Sequence, residues 1–510
     1  MSDYDVIVIG ANTPALVLGT YLGKLAGLKT LILEKSNFIG ATAQTVEMVP
    51  GFKFHPAATG EFYVHPQIGA ELELAKYGLE MIPCAPGPFL TTAFGDGKYL
   101  SLYADFNKTA EEIGKFSKKD AEAYLPMIQN WGKIAHFYGM AQLNEPLSLA
   151  QFAAGMSATP EMEGLLKDIL FSTTRDVLNR TFENDYVKAG FLTLNEGASF
   201  GPSASNFFFN IARILMPWGF VKGGMAGVAQ TLTKAAEANG ATIKTKSEVT
   251  KILVKDGKAY GVKTTNGEEI TADVVVSELE WSRTFFDLIG KEHVPPAFAK
   301  SVNEIIYECG GVTLNLALNE LPDFGFPEEC YRGFFGITPP GYDYMEEAFG
   351  QYQLGRIPDH LCSQTYLPSY NEPGFYAPEG KHVLTGYVFP VPYALREGTW
   401  ETRKEELLDK WVNSLAKFSP NLKRSIVGRD GYTPLELEQK FGMTNGDLGH
   451  GTYRWLQQLA FRPIVGWSKY RTPIANLYMA GQATWPSSGV GGIGGHNVAK
   501  AILADKQKKH

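Results

Sequence analysis

One short stretch has the residue types and spacing of a phosphate-binding turn. Gly10-Ala11-Asn12-Thr13-Pro14-Ala15 follows the apolar run DVIVI at 5–9. A dinucleotide turn needs glycine first for the tight bend, glycine second so that backbone can approach a pyrophosphate, and a small third residue for close helix–strand packing. Those positions hold Gly10, Asn12 and Ala15. Gly10 keeps the bend, and alanine is a permitted third residue. Asn12 is the departure. The second glycine often needs a positive φ, a conformation asparagine tolerates better than other non-glycine residues, and its amide is able to donate to a phosphate. Pro14 falls in the first helical turn, where its missing N–H costs nothing, and a helix N-terminus in this place attracts anions. Glu34 follows at about the 20-residue distance of a ribose-binding acid.

A literal G-x-G-x-x-G stands at Gly489–Gly494. Only 16 residues follow it, too few for the second strand and acid of a nucleotide unit, so its use must differ. No Ser-His-Asp set and no H-x-x-x-H or H-E-x-x-H pair is evident, and no metal site is expected.

The elements that must position these residues are legible nearby. DVIVI reads as a buried parallel strand, 14–26 as a helix, and KTLILEK as a second strand ending at Glu34. A helix through Ala238 with a stop at Gly240 is expected, then short strands with turns at Asp256-Gly257 and Asn266-Gly267. Farther along, 118–141 reads as an amphipathic helix, and 310–319 and 381–390 as strands.

Length and composition set the class. At 510 residues two or three domains are the natural expectation. The chain is 44% hydrophobic and 20% charged, with a mean hydropathy of −0.13. A net charge of −7 argues against nucleic acid as a partner. The 54 glycines point to backbone lying close to a ligand or to another backbone. Cys84, Cys309, Cys330 and Cys362 form no C-x-x-C pair, which fits a reducing, cytoplasmic setting. No apolar run reaches the length of a membrane span. Residues 207–220 come nearest; they read as a buried helix, with a hydrophobic lip touching a membrane or lining a tunnel as the second reading, hence peripheral membrane contact as a further option.

After Glu34 the sequence KSNFIGATAQ resembles the flavoprotein group of phytoene desaturases, carotenoid isomerases and amine oxidases. The resemblance implies Lys35 as the base beside the acid, and Gly40, Ala41 and Thr42 as a reduced form of that group's Gly-Gly-Arg segment. It returns at 217–277, where Val249 takes the place of a valine against the adenine ring. It returns again at 461–503, most like the phytoene-desaturase and pyridine nucleotide-disulphide oxidoreductase-domain branch, where Gly481, Val490, Gly491 and Gly492 stand in the C-terminal flavin signature. GDLGHG at 446–451 suits the same branch. The implied cofactor is FAD, with Gly10, Ala11, Asn12, Pro14, Ala15 and Glu34 holding its diphosphate and ribose. His450 and Tyr453 are the catalytic candidates, and His55, Arg462, Trp485 and His496 are further pocket or capping candidates.

The implied architecture is α/β: a discontinuous Rossmann-type FAD domain (1–105, 217–285 and 450–510) with an inserted α+β substrate domain (106–216 and 286–449). Aromatics are dense in the insertions: Phe207, Phe208, Phe209, Phe334, Phe335, Tyr342, Tyr344, Phe375, Tyr376, Tyr387 and Phe389. They suggest a hydrophobic small molecule, conjugated or cyclic, as substrate. The expected activity is hydride transfer at C–C bonds (desaturation, reduction or isomerisation), with oxygen, a quinone or NAD(P)H as electron partner. An amine oxidase and a non-catalytic binding protein with a degenerate flavin site are the alternatives.

Overall fold

The structure is a computed structural model that describes residues 2–57, 64–194, 201–207, 214–215, 218–487 and 491–508. Most of the apolar stretch 207–220, including Phe208 and Phe209, lies outside the described residues, as does Val490.

The first sheet is built around the N-terminal strand. β1 (Tyr4–Ile9) is followed by α1 (Thr13–Ala26) and β2 (Thr30–Leu33), the βαβ unit read from the sequence. Its strands are continuous apolar runs because both faces are covered. Helix α2 (Gly224–Ala238), β3 (Thr242–Lys244), β4 (Val249–Lys255), β5 (Lys258–Thr264) and β6 (Glu269–Ser277) come from the middle of the chain. β7 (Leu477–Met479) and α3 (Ile493–Gln507) come from its end. β6 runs parallel to β1 and to β7, and β2 runs parallel to β1 and to β3. The start of β6 pairs antiparallel with β5, which forms with β4 the hairpin turned by Asp256-Gly257. Three distant segments of chain therefore meet in one doubly wound sheet.

The second sheet runs 426–431, 312–318, 382–389, 362–366, 334–337, 90–93, 99–102 in spatial order. It is antiparallel except where 90–93 meets 334–337. The strands Leu90–Ala93 and Tyr99–Leu102 fall in the first segment of the expected FAD domain, yet they pair in this second sheet. Only long-range pairing with Phe334–Ile337 sends them there, and a local pattern does not carry it. Alternation sorts the side chains: Leu314, Leu316, Leu384, Val388 and Phe335 pack on the helix Trp400–Ala416, whereas Phe334, Tyr366, Tyr387 and Phe389 face the interior of the molecule. A helical layer led by Lys118–Gln142 covers that interior. Its end docks on α3, where Asn497 donates to the Gln142 carbonyl at 2.8 Å.

Candidate cofactor and active site

The carboxyl ends of the parallel strands stand in register. Ile9 is level with Leu33 and Ser277, and Ser277 with Met479. One rank of residues therefore follows the strands, Glu34, Gly10, Glu278 and Ala480, at the edge where open α/β sheets bind ligands. Gly10 turns with φ +99°. The amide of Ala11 donates to Glu34 Oε2 at 3.0 Å, and Ser36 donates to Oε1 through both its N–H and its hydroxyl at 2.8 Å. Glu34 is thus fixed against the turn and still has lone pairs to offer a sugar hydroxyl. Lys35 is exposed.

Asn12 does not use the left-handed backbone that asparagine tolerates. Asn12 is extended, φ −85°, and its Oδ1 accepts from Ala15 N at 3.2 Å as the N-cap of α1. The close approach a second glycine would permit has been exchanged for a capped helix, with Pro14 in the first turn as expected. Asn12→Ala should therefore lower stability by about 1 kcal/mol, whereas Asn12→Gly should cost only a few tenths; denaturant midpoints of the three proteins check this.

Gly40 donates to the Ala11 carbonyl at 2.8 Å and lies so close to α2 that a Cβ would sit 2.7 Å from that of Ala229. Ala41 takes φ +51°, and its carbonyl accepts from the Gln44 amide, so the turn 40–42 leans on the first turn of the nucleotide unit. Val249 is buried with Ile9 and Leu33 beneath the same edge.

The glycine cluster at the chain's end is a packing device. A Cβ on Gly495 would lie 2.0 Å from the Pro14 carbonyl oxygen, and one on Gly492 would lie 2.7 Å from Val17 Cγ2. Gly494 faces the backbone of Gly481. α3 consequently lies against α1, and the N-termini of both helices open on the same edge. Gly492 caps α3 without a side-chain hydrogen bond although the first turn is buried, which leaves its donors to a ligand. The Gly491 carbonyl accepts from His65 N at 3.0 Å. His496 does not cap the helix. It is fully buried behind α3, with its ring edge-on to Tyr21 and Nδ1 2.7 Å from Asn497 Oδ1.

A second polar group closes the edge beyond β6. Asp447 accepts from the amides of Glu308, Gly449 and Gly451 at 2.7–3.1 Å, and burial still raises its carboxyl to about 6. Arg462, buried, donates to the carbonyls of Gly449, Gly451, Thr452, Gln457 and Gln482. GDLGHG is thus a loop stapled from inside by one acid and one guanidinium, and Arg462 is a framework residue. The loop holds His450 at φ +50°. Its Nδ1 lies 4.0 Å from Glu280 Oε1. Burial lowers the imidazole to about 4, helped by Arg462 and Arg283, while burial raises Glu280 to about 7 against the hydrogen bonds from Thr444. His450 is therefore a neutral base at pH 7. The Tyr453 hydroxyl accepts from Gln482 Nε2 at 2.8 Å and lies 3.3 Å from Ser487 Oγ; burial raises its pKa, so it stays a donor. Trp485 is buried edge-on to Tyr138.

His55 lies between the two sheets. Its Nδ1 is 3.2 Å from the Gln44 carbonyl, and its ring neighbours Tyr366 and Tyr376. Burial lowers it to about 4. Of the other aromatics, Phe335 packs with Phe324 and Tyr331 on the far face, Phe207 is edge-on to Trp131, Tyr342 bonds Asn179, Tyr344 stacks near His360 and Phe375 lies under Lys53.

Residues 16–277 match the family of flavin containing amine oxidoreductases, a span of more than half the chain. The chain belongs to this family. Residues 224–445 also match the FAD dependent oxidoreductases. Among curated relatives, pyridine nucleotide-disulfide oxidoreductase domain-containing protein 2 of Rattus norvegicus is 29% identical, over 99% of this chain and 94% of that one. Phytoene desaturase of Neurospora crassa is 24% identical, over 95% of this chain and 82% of that one. An oxidoreductase of Methanosarcina mazei shares the fold, with a TM-score of 0.63 at 16% identity, over 98% and 100% of the two chains.

The cofactor of this flavoprotein is FAD, and the site suits it: two buried helix N-termini, one without a side-chain cap, meet beside a glycine turn and an anchored acid. Among the described residues no cluster of His, Cys, Asp or Glu is placed to hold a metal, and no helix is long and apolar enough to cross a membrane. The four cysteines are buried and none is in a disulfide. Glu278, Glu280, Asp447 and Gln482 escape a motif reading. The available signal is the acid directly after VVVS, which repeats the placing of Glu34 after LIL.

Proposed function

We propose that the protein transfers hydride to or from a C–C bond of an apolar substrate, in desaturation, double-bond reduction or isomerisation. FAD bound at the edge supplies the hydride partner, its N5 atom. In this reading Gly10–Ala15, Glu34 and the turn 40–42 hold the diphosphate and ribose, Val249 lies at the adenine, and Gly481, Val490, Gly491 and Gly492 lie at the ring. The chain divides into an FAD unit (1–105, 217–285 and 450–510) and a substrate unit (106–216 and 286–449), with 90–102 lent to the sheet of the latter.

The observation that carries the reading is an aromatic wall on the inner face of the second sheet. Trp218, Phe334, Phe220 and Tyr366 touch in sequence with ring centroids 5.0–5.5 Å apart. His55 ends the row, uncharged. A hydrocarbon gains by entering such a wall, where its apolar surface leaves water. Neutral His450 accepts the proton that leaves with a hydride, or Tyr453 returns one, each held in place by its loop.

The test is anaerobic mixing of the flavin-loaded protein with a panel of polyenes and cyclic alkenes and, separately, with primary and secondary amines. Bleaching of the oxidised flavin by a hydrocarbon, or double-bond isomerisation of a polyene by the reduced protein, supports the reading. Bleaching by amines alone, with peroxide formed on admitting air, contradicts it. Reoxidation by oxygen, a quinone or NAD(P)+ then identifies the electron partner.

A further inference from the structure

Gly10 is flanked in one register by two glutamates, and only one of them is held by short hydrogen bonds. Glu34 is tied to Ala11 and Ser36. Glu278, on the other side, is held through its own N–H to the Ile9 carbonyl at 3.0 Å. Its Cβ lies 3.2 Å from the position a Cβ on Gly10 would take, and its Oε2 lies 2.5 Å from that of Gly481. Two glycines therefore make room for this one side chain. It is 2% exposed, and among the described residues no partner lies within 3.5 Å of either carboxyl oxygen, the Asn12 side chain being the group that reaches toward it as a hydrogen-bonding partner. Burial raises the carboxyl to about 8, against hydrogen bonding from the Asn12 side chain, which lowers it.

The charged groups of the surrounding elements offer no relief. Glu34 stands across the turn and Lys35 is exposed. Glu280, two residues on, is taken up by Thr444. In the loop 446–451, Asp447 accepts from backbone amides and His450 is neutral, while the guanidinium of Arg462 is spent on carbonyls. His496 on α3 turns toward Glu71. An ionised Glu278 would thus lie buried behind the turn that receives a diphosphate, with the neutral Asn12 amide and none of these cations to compensate its charge.

We propose that Glu278 must remain a neutral carboxylic acid for FAD to be held, and that its ionisation at alkaline pH expels the cofactor. The inference rests on FAD occupying the Gly10 edge. A dianionic ligand beside the acid raises the acid's affinity for its proton, so binding takes up a proton once the free site has lost it. The dissociation constant then climbs by up to about tenfold per pH unit above the point where the free site titrates.

The experiment measures free FAD by ultrafiltration of the flavin-loaded protein at steps from about pH 7 to about pH 9.5, with far-UV circular dichroism at each step. The native protein should lose affinity about tenfold across the last pH unit, Glu278→Gln should change less than about twofold, and Glu280→Gln should follow the native profile. A native profile as flat as that of Glu278→Gln, or equal loss in both, overturns the proposal. Should Glu278→Gln not fold, a flat native profile alone overturns it and a native loss with the fold retained upholds it. A chain that carries no FAD at any pH and takes none up overturns the cofactor site itself, a failure distinct from a flat profile.

Discussion

Gly495→Ala strips the protein of FAD and lowers its stability by about 3 kcal/mol or more, the upper end of what overpacking costs. The new methyl would sit 2.0 Å from the Pro14 carbonyl, a backbone atom that cannot rotate aside. α3 would have to withdraw from α1, and the helix N-termini that flank the Gly10 edge would separate. Both effects follow from one contact, so flavin content and the denaturant midpoint should fall together. Gly466→Ala, where no atom lies within 4 Å of the added carbon, serves as the contrast; the left-handed backbone there costs strain but leaves the helices in place.

Arg462→Met is expected to cost about 3–5 kcal/mol, the range for breaking a buried charged network. The guanidinium is buried and serves carbonyls from two separate segments, 449–457 and Gln482. Its loss leaves those carbonyls unpaired and Asp447 without a nearby cation. Arg462→Lys keeps the charge without the planar fork and should recover only part of the loss. Because the same loop holds His450 and reaches Tyr453 through Gln482, flavin reduction by substrate should slow more than FAD content falls. Urea midpoints, flavin content and the rate of anaerobic bleaching separate the three quantities.

The parts of the fold visible in the sequence are those written locally. The run DVIVI, the helix after Pro14, the acid after LIL and the Asp256-Gly257 hairpin each carry their period or turn residues within a few positions, and each stands where that pattern puts it. Asn12 shows the limit of the same reasoning. Its tolerance of a left-handed backbone and its aptitude as an N-cap are both properties of asparagine, and the helix beginning at Thr13 decides for the cap. Nor does a pattern show that 90–93 pairs with 334–337, since that depends on chain returning from a distance of more than 200 residues. The glycines at 491–495 advertise close approach, but that Gly492 and Gly495 make theirs to α1 shows only once the two helices are packed together. Glu278 and Glu280 sit in SELE, which reads as an ordinary polar strand end; only the register of four parallel strands turns them toward the site.

The central claim is that the Gly10 edge, with Asn12 in place of a glycine and without the arginine of a full Gly-Gly-Arg segment, is a working FAD site. The most direct measurement is the visible spectrum of the freshly purified protein, with the cofactor released by denaturation identified and counted. The expected result is the two-banded spectrum of oxidised flavin and one FAD per chain, both lost in Gly495→Ala. A colourless protein that takes up no added FAD would contradict it, and would make the edge a packed relic of a nucleotide site.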